Sequence, residues 1–292
     1  MKRLIVNADD FGLTAGVNSA ITQLHASHRL TSATLMACAE ATEGAIEAAR
    51  KTPSLGVGCH IVLVDGVPVL PAKELPTLTD PQSGRFRRTL GIFVRDLLSG
   101  RIRSEEIEAE AIAQMQRLRT HGISLTHVDT HKHTHMFHGV LAPLLKAAAQ
   151  SGVSAIRNPF EPDWSTAATG KAPALRRLQV RVLNQMRSGF LRRVSAAGLA
   201  TTDGAIGVLA TGTLDAETID ALFAAMPSGT WELVTHPGYV DDALPKAGTR
   251  LIASRAIELA ALKAMRAPTE IEWIHFGQLR ETAHVPQIQV AP

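Results

Sequence analysis

The feature that most constrains this chain is the alternation of short β-type runs with longer helical patterns along nearly all of its 292 residues. Branched, apolar runs of strand length occur at 3–7, 33–38, 56–63, 125–129, 155–157, 204–208, 231–235 and 273–276. Helical patterns lie between them at 17–28, 41–51, 104–119, 140–150, 174–197, 216–226 and 254–265. A chain that repeatedly leaves a strand for a helix and returns covers both faces of its sheet only when the strands run parallel, in a barrel or an open sheet. Ser104 ahead of Glu105 and Glu106 predicts a capped helix start with acids on the positive end of the macrodipole. There is no repeat, low-complexity tract or composition break, so residues 1–292 are expected to form a single domain. The stretch from Asp65 to Arg88, with four prolines, reads as a long loop, and such loops are usually functional or disordered. Residues 283–292 carry no pattern and are expected to be poorly ordered.

Composition excludes several classes. Apolar residues make up 45 % and charged residues 20 %, as in a globular protein with a sizeable core. No stretch reaches the roughly 18–20 uncharged apolar residues needed to cross a bilayer. The start, Met1-Lys2-Arg3-Leu4-Ile5-Val6-Asn7-Ala8-Asp9-Asp10, reads as a buried strand rather than a signal peptide, which predicts a cytoplasmic protein. Cys38 and Cys59 suit buried free thiols better than a disulfide framework or a zinc finger. A net charge of +3 with one tyrosine and eight phenylalanines offers no stacking platform for nucleic acid.

Polar clusters fall where the strand runs end. Asp9 and Asp10 follow the first run, and His60 lies near the end of the third. Asp129-Thr130-His131-Lys132-His133-Thr134-His135 follows the fourth, Arg157-Asn158-Pro159 the fifth and His236-Pro237-Gly238 the seventh. In a parallel βα barrel all strand ends share one face, so these distant groups converge. Buried strands rarely carry acids and imidazoles for stability alone, because leaving such groups unpaired is costly. Neighbours on a strand point to opposite sides, so one aspartate could bind metal while the other faces substrate. Alternating histidines in an extended segment would set several imidazoles on one side, and imidazole is a good zinc ligand. One carboxylate and two imidazoles leave a coordination position open, as a catalytic site requires. His236 is placed to donate a proton. Arg157 could hold Asp9, hold substrate, or form a surface ion pair.

Four ordered motifs carry a resemblance. Asn7-Ala8-Asp9-Asp10-Phe11-Gly12, Gly58-x-His60, Asp129-x-His131-x-His133 and Thr235-His236-Pro237-Gly238 resemble the signatures of the YdjC-like carbohydrate deacetylases. The run from His60 to Pro71, together with His131-Lys132-His133, is most similar to the hopanoid-biosynthesis subgroup, the HpnK-type deacetylases. This resemblance implies an α/β fold, a distorted (βα) barrel of the glycoside hydrolase/deacetylase type. It implies removal of acetyl from an N-acetylated amino sugar, in the subgroup an N-acetylglucosaminyl hopanoid glycolipid. It implies one divalent metal held by Asp10, His60 and His131, with Asp9 as general base and His236 as general acid. Zinc suits that donor set best, while magnesium, cobalt and nickel stay open by ligand type. His133, His135 and His138 also lie in the run. His131 takes the family position as the first histidine after the strand end. His133 is expected to line the pocket, and Arg157 to bind substrate or Asp9.

One segment bears on location. From Ala174 to Val194, Leu175, Leu178, Val182, Met186, Phe190 and Val194 form one helical stripe flanked by arginines. An ordinary amphipathic barrel helix accounts for it. The sharper reading is a basic helix in peripheral contact with the inner face of a membrane. Competing functions are another metal-dependent amide or phosphoester hydrolase, or a non-catalytic sugar- or lipid-binding barrel.

Overall fold

A computed structural model describes residues 1–266 and 268–279; the expectation for 283–292 lies outside the described residues. Its strands are β1 (Lys2–Phe11), β2 (Ser32–Leu35), β3 (Gly56–Ile61), β4 (Val128–Thr130), β5 (Gly204–Ile206), β6 (Gly229–Thr235) and β7 (Ile271–Trp273). They pair in the order β4-β3-β2-β1-β6-β5, and β7 joins the first residues of β1. Every strand pairing is parallel, so the sheet is the curled parallel sheet of a distorted barrel. β1 is its central strand and is buried from Leu4 onward, as a strand covered on both faces must be. The fifth expected run forms no strand of its own. Single bridges join Ile156 to Val128 and Ala155 to Ala200, and Pro159, lacking an N–H, cannot extend the ladder.

The helices are α1 (Ala15–Ala26), α2 (Thr42–Lys51), α3 (Leu90–Leu98), α4 (Ser104–Thr120), α5 (His138–Gln150), α6 (Asp163–Ala168), α7 (Ala174–Leu183), α8 (Arg187–Ala196), α9 (Ala216–Ala225) and α10 (Ala253–Ala264). α1 is typical of the coat. The Thr14 side chain caps it by accepting from the Val17 N–H, and Val17, Ala20, Ile21 and Leu24 bury one stripe. α4 differs from expectation at its start. Arg103 is the extended cap residue, and the Ser104 hydroxyl turns to Glu105 instead of capping, although the acids do occupy the first turn.

The Asp65–Arg88 segment is tied down by a polar stripe on α4. Buried Glu110 accepts the N–H groups of Val69 and Leu70, and Glu106 accepts those of Thr77 and Leu78. Gln114, one turn further on, bonds both backbone groups of Val62. Leu75, Leu78 and Phe86 then pack into the core. The helical stretch expected over 174–197 breaks at Asn184–Met186, and the apolar stripe breaks with it. Phe190 and Val194 of α8 are buried, whereas Leu175, Leu178 and Val182 of α7 face solvent. Cys38 and Cys59 are free, Cys59 buried and Cys38 partly so.

Gly58 is needed where it stands. A Cβ there would overlap the His127 ring, which is fully buried and stacked on Phe276 with centroids 3.8 Å apart. Gly58→Ala is therefore expected to destabilise the protein by about 1–3 kcal/mol, the usual cost of overpacking. A urea midpoint equal to that of the parent would refute this.

Candidate active site at the strand ends

The sheet register brings the site together. His60 pairs directly with Asp129 across β3 and β4, and Ala8 pairs with Thr235 across β1 and β6. Asp9 and His236, the residues that follow, therefore meet, with His236 Nε2 3.7 Å from Asp9 Oδ2. At the end of β1 the register to β2 shifts between Ala8 and Phe11, and Asp10 adopts φ 64°. This left-handed conformation is strained for a residue with a Cβ. Simple strand alternation would send the two carboxylates to opposite sides of the sheet. The kink lets both reach one cleft.

The histidine run is not extended, contrary to the sequence reading. It forms a tight turn in which Lys132 and His133 have φ 57° and 51°, so its imidazoles diverge. His131 turns to Asp10, and His133 lines the cleft. His135 is buried in the scaffold, bonding Thr130 Oγ1 at 2.7 Å and the Arg157 carbonyl at 3.2 Å. Burial and the nearby Arg157 push the His133 pKa down to about 3, so that ring is neutral.

Asp10, His60 and His131 present three donor atoms to one point. Asp10 Oδ1 lies 3.5 Å from His60 Nε2 and 3.3 Å from His131 Nδ1, and the two nitrogens are 3.3 Å apart. Bonds of about 2.0–2.1 Å at tetrahedral angles put donor atoms about 3.4 Å apart. The triangle therefore fits one small divalent cation with a fourth position open. Asp10 Oδ1 is buried without an aligned hydrogen-bond partner, as an atom kept for a cation would be. Asp129 accepts from His60 Nδ1 at 2.8 Å, which leaves the Nε2 lone pair toward the triangle. Asp10 Oδ2 is held by Arg255. Burial alone would raise the Asp10 pKa, but Arg255 and the two imidazoles hold it well below the usual range. A second grouping, Asp9, His60 and Asp129, suits a cation poorly because the Arg157 guanidinium already neutralises both of its carboxylates.

Arg157 does not line the cleft, which corrects its expected role in binding substrate. It is fully buried and pairs with Asp9, Asp129 and Glu232. Of the two roles expected for it, the geometry leaves that of holding Asp9. The Asp9 carboxylate takes Arg157 Nη2 at 2.6 Å and Nη1 at 2.8 Å, with Asn7 Nδ2 at 2.9 Å. Burial would raise the Asp9 pKa; Arg157 overrides this and keeps the group ionised. Three acids around one cation leave an excess of negative charge. Burial accordingly lifts Glu232 to about 7, against the pull of Arg157.

His236 is oriented by Glu258 of α10, which accepts its backbone N–H and lies 3.8 Å from Nδ1. Burial would lower the His236 pKa, but Glu258 first and Asp9 next raise it above the ordinary value. Glu232, Arg255 and Glu258 were absent from the sequence reading. Their signal was nonetheless present: Glu232 interrupts the apolar run Trp231-Glu232-Leu233-Val234, and Arg255 and Glu258 share the buried face of α10 with Leu259 and Leu262. Asp9, Asp10, His60, His131, His133 and His236 all line one cleft of about 570 Å³, a size ordinary for a small-molecule site.

A curled parallel sheet with acids and imidazoles at the carboxyl ends of its strands defines the class of βα-barrel proteins whose chemistry sits at that face. Residues 3–272 match the family model of the YdjC-like proteins, and the chain belongs to that family. It is 35 % identical over 283 residues to a carbohydrate deacetylase of Brevibacillus brevis, covering 95 % of this chain and 99 % of that protein. It is 30 % identical to a carbohydrate deacetylase of Listeria monocytogenes, covering 95 % and 100 %. The fold is similar to that of an Enterococcus faecalis protein described as a cellobiose-phosphate cleavage protein. That match has a TM-score of 0.74 at 23 % identity and covers 95 % of this chain and 98 % of the other.

Proposed function

We propose that this chain is a metal-dependent carbohydrate N-deacetylase, acting as one domain on the acetamide of an amino sugar. The reading rests on the Asp10–His60–His131 donor triangle opening into the same cleft as Asp9 and His236. A divalent cation held there, zinc by donor type, would polarise the acetyl carbonyl and acidify a water. Asp9, ionised and fixed by Arg157, takes the proton from the attacking water. Because its pKa is low it is a weak base on its own, so it depends on an acidified water. His236, whose pKa Glu258 raises, gives a proton to the departing sugar amine. His133, neutral and lining the cleft, is left to contact substrate.

The finer substrate we infer is an N-acetylglucosaminyl hopanoid glycolipid, reached by a cytoplasmic protein at the inner membrane face. It is supported by the His60–Pro71 run and His131-Lys132-His133. Acetate release tests both levels, using that lipid, soluble N-acetylglucosamine and chitobiose with metal-stripped and zinc-restored protein. Zinc-dependent release from the lipid alone is the expected result. Release from the soluble sugars would keep the chemistry and remove the lipid, and no release from any would remove the deacetylase.

Two further outcomes follow from the assigned roles. Asp10→Asn, His60→Ala and His131→Ala are expected to lose bound metal, whereas His133→Ala keeps it. Metal content by mass spectrometry of the purified variants reads this, and full loading of His131→Ala would move the ligand role along the run. Glu258→Gln removes the negative charge that raises the His236 pKa. The general acid then loses its proton at lower pH, so the alkaline limb of the pH–rate profile shifts downward. An unmoved limb would detach Glu258 from His236.

A further inference from the structure

α7 is amphipathic with its faces reversed. Arg176 and Arg177 point inward and bond backbone carbonyls, Arg176 those of Thr211 at 2.8 Å and Val208 at 3.1 Å. Arg177 bonds those of Thr166 at 2.5 Å, Gly170 at 3.2 Å and Ala172 at 3.4 Å, and that of Thr169. Leu175, Leu178 and Val182, spaced to share one helical face, point outward and are 68 %, 57 % and 52 % exposed. α7 buries none of its residues. Arginine–carbonyl bonds therefore hold the helix in place, and its aliphatic stripe is left without a partner.

Charge decides which partner fits. From Ala174 to Ala196 the chain carries six arginines and no acid. None of the six forms an ion pair with a carboxylate among the described residues. Those of α8 that bond at all bond carbonyls, Arg187 that of Asp203 and Arg193 that of Gly189. A second copy meeting this stripe about a twofold axis would set like charge against like. An aliphatic stripe among uncompensated arginines is instead complementary to an anionic lipid surface, where the side chains enter the headgroup–acyl boundary and the guanidinium groups meet phosphates.

We propose that α7 is a peripheral membrane-docking element that inserts Leu175, Leu178 and Val182 into an anionic bilayer, with Arg181 and the α8 arginines on its headgroups. Arg176 lines the cleft from the inner side of the same helix, as do Arg88 and Arg250 on other segments. Docking therefore brings the bilayer against a helix that lines the cleft. That a lipid-anchored acetylated sugar is delivered there rests on the deacetylase reading; docking itself does not.

The test is flotation of the full chain with vesicles of phosphatidylcholine alone or in equal parts with phosphatidylglycerol. Binding is expected to the mixed vesicles only, at low salt, and to fall as salt screens the headgroups. Leu175→Ser/Leu178→Ser/Val182→Ser is expected to lower the bound fraction about tenfold or more by removing the inserted stripe. Arg181→Ala/Arg192→Ala is expected to lower it about tenfold through lost headgroup attraction. The urea midpoint and the bound metal content should be the same in both variants as in the parent, which shows that they fold. No flotation at low salt, or flotation undiminished in the serine variant, overturns the proposal. So does a parent that is dimeric by light scattering with a monomeric serine variant, because a second copy then covers the stripe. A parent that floats but releases no acetate from any substrate would retain the docking and remove the deacetylase; release without flotation would do the reverse.

Discussion

Asp9→Asn is expected to lower acetate release about 10²–10⁴-fold, the range typical of a lost general base, while bound metal stays at the parent level. The carboxylate is not in the Asp10–His60–His131 triangle, so its loss leaves the three donor atoms in place. The substitution also turns an amide toward Arg157, which keeps Asp129 and Glu232 as partners. The protein should therefore fold. Measuring turnover and metal content on the same preparation separates the roles. Turnover within a few-fold of the parent would remove Asp9 as the base, and loss of metal alongside turnover would make it a ligand.

Arg157→Met is expected to give the largest loss of stability among these substitutions. The guanidinium is fully buried among three carboxylates. Removing one partner from a buried ionic cluster costs about 3–5 kcal/mol, a large share of the roughly 5–15 kcal/mol that holds a domain together. The effect has a pH signature whose sign follows from Asp9. In the parent its folded pKa is depressed, so its contribution is present above the ordinary carboxylate pKa and is lost only as pH falls through the folded value. Without Arg157, burial is opposed only by His60 and His236, and that pKa rises. The penalty is then full at high pH and is relieved as the acids protonate. Urea unfolding should show a larger difference from the parent near about pH 8 than near about pH 5. Equal differences at both would mean that the guanidinium does not govern the ionisation of these acids.

Much of the architecture was readable because its signals are local. The alternating apolar runs overlap all seven described strands, and the acids and imidazoles at their ends marked the cleft. Misses came where a residue's meaning depends on what lies across the fold. The 155–157 run has the composition of a strand, yet its neighbours offer only single bridges. The 174–194 stripe reads as one continuous face. The structure sends its second half into the core and its first half to solvent, since only Phe190 and Val194 have a wall to pack on. The 104–119 pattern reads as a helix with acids at its start, but Glu106 and Glu110 turn inward to satisfy the backbone of the Asp65–Arg88 loop, and Gln114 that of Val62.

The site divides along the same line. The sequence by itself determined which residue types stand at the strand ends and in what order, since strand length and polarity are written in neighbouring residues. Only the tertiary structure decided which of them face one another. The kink at Asp10, the turn that separates His131 from His133 and His135, and the burial of Arg157 behind Asp9 all depend on contacts between segments far apart in the chain. The supporting residues Glu232, Arg255 and Glu258 belong to that second kind. A charge can persist in a dry strand or on a buried helix face only when the fold brings its partner to it, and no stretch of sequence holds both halves of such a pair.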